Sequence, residues 1–539
     1  MSDPVNPLPP EAARGGRALM RSAGLISALT FLSRILGLVR EMVFAALLGA
    51  GFYADAFLAA FRIPNLLRDL FAEGALSAAF VPTYAKALHE GGKPRAHQLS
   101  NRLLTLLGVV LCAITALGIV FAEPIVGLIA RGFRSEPAKA ELTVRLTRIM
   151  LPFLPVVSFA AVAMGILNAH RRFGPPAAAP SMFNVVSIAW ATALWAAGFD
   201  ARQVAIGWAV GTLLGGLAQL LIQVPPLWRD GWRPRFDWAP GDAGLRAIAR
   251  LMGPATVGLA AVEINILVST FFASHEPGAI SALQYAFRIL YLPIGVFGVA
   301  VGTVATSGLA HRAAAGDHDG MRETLGHALR TLAFVTIPAT AGLLTLSVPI
   351  VRLLFERGAF GPAETARTAA ALWYYSIGLV AYTGVKVLAP AFYALGTPRV
   401  PLVASMSAVA TNVVVILALH PRMGFRAIAL GTALGSIANV LVLAGVYQAR
   451  QGGLLKEVAR SSVARMVAAA AAMAAASWAA ARALTSAFGT DGLVVNLAVG
   501  LAPVVVGVVV YLAGAAVLRI PEAGELLAAL RRRGARARA

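Results

Sequence analysis

The sequence predicts an all-α integral membrane protein: about fourteen transmembrane helices, arranged as two parallel six-helix lobes around a central cationic cavity, plus two C-terminal helices. Three observations lead there. Of 539 residues, 58% are hydrophobic and 13% charged, about half the charged share of a soluble globular chain, and mean hydropathy is +0.74. Apolar runs recur at the length of about 20 residues that a bilayer requires. Several short motifs also return at a near-constant spacing.

The expected spans run roughly over 25–50, 53–85, 103–130, 141–167, 177–199, 203–226, 248–273, 279–310, 328–355, 365–394, 400–420, 425–447, 463–485 and 492–518. The first, second, eighth and tenth are interrupted by charge, Pro or Gly. The first 24 residues are rich in Pro, Ala and Arg, with no early apolar stretch, so they read as a tail and not a cleaved signal.

Charge sets orientation. Net charge is +21, from 46 Lys+Arg against 25 Asp+Glu. The excess is scattered between apolar runs, unlike the gathered basic face of a nucleic-acid binder. It concentrates in the even-numbered loops: Lys86, Lys93 and Arg95; Arg171 and Arg172; Arg229, Arg233 and Arg235; Arg450, Lys456, Arg460 and Arg465. An excess there places both termini in the cytoplasm, facing anionic phospholipids, and both termini on one side require an even number of spans. The single Cys112 excludes an intramolecular disulfide.

The repeats define the lobes. Ala60-Phe61-Arg62-Ile63 returns as Ala286-Phe287-Arg288-Ile289, and Pro124-Ile125-Val126 as Pro349-Ile350-Val351, with Arg131-Gly132 and Arg357-Gly358 following the latter pair. Asn184 and Asn412 follow in the same order. Six spans separate the copies, so they share one orientation. The expected organisation is a tail (1–24), a first lobe (25–226), a linker (227–247), a second lobe (248–450), two further helices (451–518) and a basic tail (519–539).

Arginine within a span costs about 2.5–3.5 kcal/mol on insertion scales. Yet Arg34, Arg40, Glu41, Asp55, Arg62, Arg68, Asp69 and Glu73 fall in the first two spans, and Arg288 in the eighth. Pairing and snorkelling account for single members of this set. As a group the arginines outnumber the acids near them, and a cationic cavity of guanidinium forks asks for a phosphate or pyrophosphate. Pro64 and Gly74 loosen the second span, and Pro293 and Gly295 follow Arg288 similarly. Asn65 either satisfies a freed backbone group or touches the ligand. Enzyme signatures are lacking: there is no P-loop, Gly-x-Ser-x-Gly or Asp-rich prenyl-diphosphate motif. We expect no cofactor, with an ion gradient or the membrane potential as driving force and Glu263 and Lys386 as candidate coupling residues; Glu263 reads equally as a helix-packing group.

Ser33-Arg34-Ile35-Leu36-Gly37-Leu38-Val39-Arg40-Glu41 resembles the first-helix signature of the MurJ (MviN) lipid II flippases. Asp55-Ala56-Phe57, Arg62-Ile63-Pro64-Asn65-Leu66-Leu67-Arg68 and Phe71-Ala72-Glu73-Gly74-Ala75 resemble the second helix of that family. Leu354–Phe360 and Lys386–Tyr393 are similar to its later motifs. The resemblance runs from about residue 22 to 450. It implies a transporter, not an enzyme, of the multidrug/oligosaccharidyl-lipid/polysaccharide exporter superfamily in the bacterial inner membrane. Its substrate would be lipid II, an undecaprenyl-pyrophosphate-linked peptidoglycan precursor, and other cell-wall synthesis proteins are candidate partners. By that resemblance Arg34, Arg40, Arg68 and Arg288 match the substrate-binding arginines, and Asp55 the second-helix aspartate. Arg62, Asn65, Glu41 and Glu73 join Asp55 as gating or cavity residues. Phe287 departs from the Asp that many members place before the eighth-helix arginine, and sodium-site carboxylates of some members have no convincing counterpart. A flippase for another polyprenyl-linked glycan and a drug or cation antiporter are the rival readings.

Overall fold

A computed structural model describes residues 10–69, 75–459, 463–489 and 492–524. The described residues are almost entirely helical, in two compact units: Met1–Leu48 with Phe52–Glu263, and Gly49–Gly51 with Ile264–Ala539.

The first unit opens with α1 (Pro10–Leu48) and α2 (Phe52–Arg68). Then come α3 (Ala75–Val120), α4 (Ala122–Ile129), α5 (Pro137–Met150), α6 (Phe153–Ala169), α7 (Gly174–Ala196), α8 (Ala201–Leu221) and the short α9 (Val224–Arg229). The long α10 (Ala243–Ala273) crosses from this unit into the next. Gly92 bends α3 with φ of 64°, a left-handed value that a glycine adopts without strain. Pro64 is accommodated inside α2, which stays helical to Arg68, and π geometry begins at Asp69. The core of this unit joins Phe80, Tyr84, Leu103 and Leu111 of α3 to Leu154, Val162 and Ile166 of α6.

The second unit contains α11 (Ala279–Pro293), α12 (Val299–Ala314), α13 (His318–Phe355), α14 (Pro362–Ser376), α15 (Leu379–Ala394), α16 (Arg399–Met423) and α17 (Arg426–Gln451). A π-turn, Ile294–Gly298, joins α11 to α12. It begins 225 positions beyond Asp69, the last described residue after α2, which also has π geometry. Then α18 (Leu454–Ala459), α19 (Val463–Phe488) and α20 (Leu493–Val517) complete the chain's described helices. Phe334 of α13 packs with Met466 and Met473 of α19 and Tyr511 of α20.

Ten described helices are long and apolar enough to span a membrane, or eleven if α14 and α15, bent by 45°, form one span. The three other expected spans coincide with α1, α2 and α10. Of these, α2 is 17 residues long and carries Asp55, Arg62 and Arg68. The expected second span, 53–85, is divided between α2 and the start of α3.

The two repeat asparagines behave alike. Asn184 of α7 donates to the Ser33 carbonyl of α1 (3.2 Å). Asn412 of α16 donates to Asn265 Oδ1 of α10 (2.6 Å). Each ties a late helix of its unit to the leading one by satisfying a polar group that lipid could not.

Candidate functional site

The charges that the sequence places within expected spans of the first unit lie on α1, α2 and α10, and α5 adds Lys139. Arg40 donates Nη2 to Glu41 Oε1 at 2.9 Å, and its guanidinium lies 5.1 Å from the centre of the Phe183 ring of α7. Glu41 is buried. Arg68 grips Asp69 with two nitrogens on one oxygen, Nη2 at 2.9 Å and Nε at 3.2 Å. Both arginines are thus held by the carboxylate of the next residue, and both pairs are partly open, Arg68 and Asp69 at 25% and 28% side-chain exposure. Arg34 is exposed on α1 between exposed Phe31, Leu32 and Ile35.

Glu263 is buried at the end of the part of α10 that belongs to this unit, within electrostatic range of Asp69, Arg62 and Arg68. Arg62 and Asn65 are half-buried on α2. Glu263, Asp69, Arg62 and Arg68 therefore form one charged group, and Arg40 with Glu41 is a separate pair on α1. Glu73 lies outside the described residues.

Asp55 does not join them through its strongest contact. It is fully buried and meets Lys139 of α5, with Nζ 3.0 Å from Oδ2; Lys139 is also fully buried. Glu136 stands 3.8 Å from the same Nζ, and the Phe133 ring centre 4.5 Å from it. Sequence reasoning had placed Lys139 in a loop between spans and missed this pair. The signal available was Lys139 itself, spaced at i, i+4 and i+8 with Thr143 and Thr147, each hydroxyl bonding back along the helix.

In the second unit, Arg288 of α11 is half-buried ahead of the π-turn. Phe287 packs edge-on against Tyr375 of α14 at 5.4 Å and Tyr382 of α15 at 6.1 Å, and tilts against Tyr291 at 6.4 Å. An aromatic residue here fills an aromatic nest, so the side chain before Arg288 supplies packing where an acid would supply charge. Lys386 is exposed on α15 in this second unit, whereas Glu263 belongs to the first. A neutral polar cluster was not foreseen as a site: Asn412 reaches Asn265 and, at 3.5 Å, both Ser269 and Thr432.

Comparison with known proteins agrees with this arrangement. The family described as "Lipid II flippase MurJ" matches residues 44–499. The probable lipid II flippase MurJ of Rhizobium meliloti is 36% identical over 467 residues, covering 86% of this chain and 87% of that protein. Its counterpart from Vibrio cholerae is 35% identical over 435 residues, covering 79% and 82%. The solved structure titled "Lipid II flippase MurJ, inward closed conformation" superposes with a TM-score of 0.75 at 27% identity, covering 92% of this chain and 98% of that one. An inward-facing multidrug resistance MATE transporter of the MOP superfamily shares the fold, with a TM-score of 0.65 at 17% identity over 80% of this chain and 99% of the other.

Proposed function

The chain belongs to the MurJ family of lipid II flippases, and on that premise we propose that it carries lipid II from the inner to the outer leaflet of the bacterial cytoplasmic membrane. The observation that carries the reading is that Arg40 and Arg68, in the first two helices of a membrane-spanning chain, are each paired with the carboxylate of the next residue, Glu41 and Asp69, and stay partly open. Those carboxylates occupy the place a phosphate would take, because a guanidinium fork accepts either oxyanion. A diphosphate brings more acceptor oxygens and more charge than one carboxylate, so it displaces Glu41 and Asp69 and draws Arg34, Arg40 and Arg68 onto one anion. Arg288 is the cation of the second unit that would do the same.

Transport then follows alternating access. Exchange of intrahelical ion pairs for substrate contacts changes what each helix is bound to, and a ligand shifts a conformational balance only through such differential contacts. The widened turns at Asp69 and Ile294–Gly298 supply places where α2 and α11 bend. Glu263, beside Asp69, Arg62 and Arg68, is the proposed coupling carboxylate for an ion gradient or the membrane potential; no cofactor is required. The excess of basic residues in the even-numbered loops supports cytoplasmic termini.

Depleting the protein in its host and assaying lipid II on each leaflet tests the proposal. Accumulation on the inner leaflet, rescued by wild type and not by Arg68→Ala, is the expected result. Normal lipid II with a defect in another surface glycan would transfer the activity to that glycan. Normal glycans altogether would remove the flippase reading and leave an antiporter.

A further inference from the structure

A cavity of about 760 Å³ opens at one end of the first unit, between the residues after Gly92 in α3 and the segment leading into α10. Arg95, His97 and Asn101 line one side, and Arg233, Arg235 and Asp237 the other. Its walls are held in place. Trp232 donates Nε1 to Ser100 Oγ at 2.9 Å, and the Asp237 amide donates to Thr105 Oγ1 at 3.0 Å. Asp237 is bound at 3.1 Å by Arg102, so the acid lining the cavity is already neutralised.

The remaining field is positive. Arg95 reaches Asp242 only at 3.3 Å, Arg233 rests over the Trp228 ring at 5.1 Å, and Arg235 is exposed. Two residues lining the cavity each carry a buried polar atom without a hydrogen bond: Asn101, 8% exposed, at Oδ1 and His97 at Nε2. Such atoms cost free energy unless a ligand or water meets them. Arginines with a histidine nitrogen suit phosphate oxygens, and the amide oxygen suits a hydroxyl beside them.

The surroundings fix the source. Trp228, Phe236 and Trp238 flank Arg229, Arg233 and Arg235 in the chain and are 50%, 79% and 52% exposed. Aromatic and basic residues interleaved at the foot of membrane helices mark the headgroup level of a bilayer. A second cavity, of about 400 Å³, is lined by Arg171, Arg172 and Arg229, and the ring of His97, which lines the first, stands 6.2 Å from that of His170. We infer that the larger cavity binds the phosphodiester headgroup of a hydroxyl-bearing anionic phospholipid from the adjacent leaflet. This site is separate from the arginines of α1 and α2 and does not depend on what those transport.

The test uses the full chain in nanodiscs of phosphatidylcholine with and without phosphatidylglycerol, counting retained lipid by native mass spectrometry. Wild type retains phosphatidylglycerol in preference to phosphatidylcholine. Arg233→Gln with Arg235→Gln lowers that preference by about fivefold per charge removed, the effect of one basic residue near an anionic surface. Unchanged thermal unfolding in phosphatidylcholine shows that the variant is folded. Equal retention by wild type and the double variant overturns the site. Arginine-dependent protection by inorganic phosphate in phosphatidylcholine alone overturns the headgroup assignment and leaves a site for a soluble anion.

Discussion

Lys139 Nζ lies 3.0 Å from Asp55 Oδ2, with both side chains sealed from solvent between α2 and α5. Desolvating two charges is repaid only when they meet, so removing one leaves the other stranded. Asp55→Asn or Lys139→Met alone should destabilise the protein by about 3–5 kcal/mol. The double change Asp55→Leu with Lys139→Met should recover most of that loss. Thermal unfolding in detergent measures both. Transport by the double variant then decides whether Asp55 serves only the fold: a stable, inactive double variant assigns it a role in gating.

Arg68 and Asp69 should respond in opposite directions. Arg68→Ala removes charge-assisted bonds to the diphosphate, each worth about 1.5–3 kcal/mol, and should weaken lipid II binding at least tenfold and stop flipping. Asp69→Asn removes the carboxylate that competes for Arg68 and should leave binding equal or tighter. A titration of purified protein with lipid II separates them, and weaker binding by Asp69→Asn would show that the carboxylate orients Arg68 in place of competing for it.

Glu263→Gln removes the carboxylate that α10 brings to Asp69, Arg62 and Arg68. In proteoliposomes its flipping should lose the response to an imposed ion gradient or potential while exchange driven by substrate concentration persists. A full response in the variant removes Glu263 from coupling.

Acid should loosen the loop end of the first unit. Tyr84 Oη and His170 Nε2 are 3.0 Å apart, and burial holds His170 below its ordinary value. Lys93 and Arg172 push the same way, and Asp230 opposes them. A depressed histidine contributes fully above about pH 6.5 and loses that contribution as pH falls through its folded value. Asp242 is pushed up by burial, but Arg102, Arg95 and the Gly244 and Leu245 amides outweigh this and hold it low, so its contribution is lost only at more acid pH. Melting temperatures between pH 7 and 5 should fall in wild type and fall less in His170→Gln; parallel curves would remove His170 as the cause.

Much of this was legible in the sequence because charge inside apolar runs is conspicuous. Arg40-Glu41 and Arg68-Asp69 needed no tertiary information, since their partners are sequence neighbours. Asp55 and Lys139 are 84 positions apart, and nothing local to either says which helix packs on α2. Glu263 was legible as an odd charge, while its neighbours on α2 were not. Asn184 and Asn412 were visible as repeat markers, but their hydrogen bonds to α1 and α10 depend on helix packing that periodicity does not specify. Pro64 misled in detail, since α2 tolerates it and widens five residues later.

The π-turn at Ile294–Gly298 also decides where the chain tolerates a change in length. A π-turn carries one residue more than an α-turn while closing about the same rotation, and each residue of an α-helix advances about 100°. Deleting one residue within Ile294–Gly298 would therefore restore ordinary winding and leave α12 facing as it does, with Gly302, where an added Cβ would lie 2.8 Å from the Lys386 carbonyl oxygen, still against α15. A single-residue deletion between Val299 and Val301 has no surplus residue to absorb it and would swing Gly302 off α15 by about 100°.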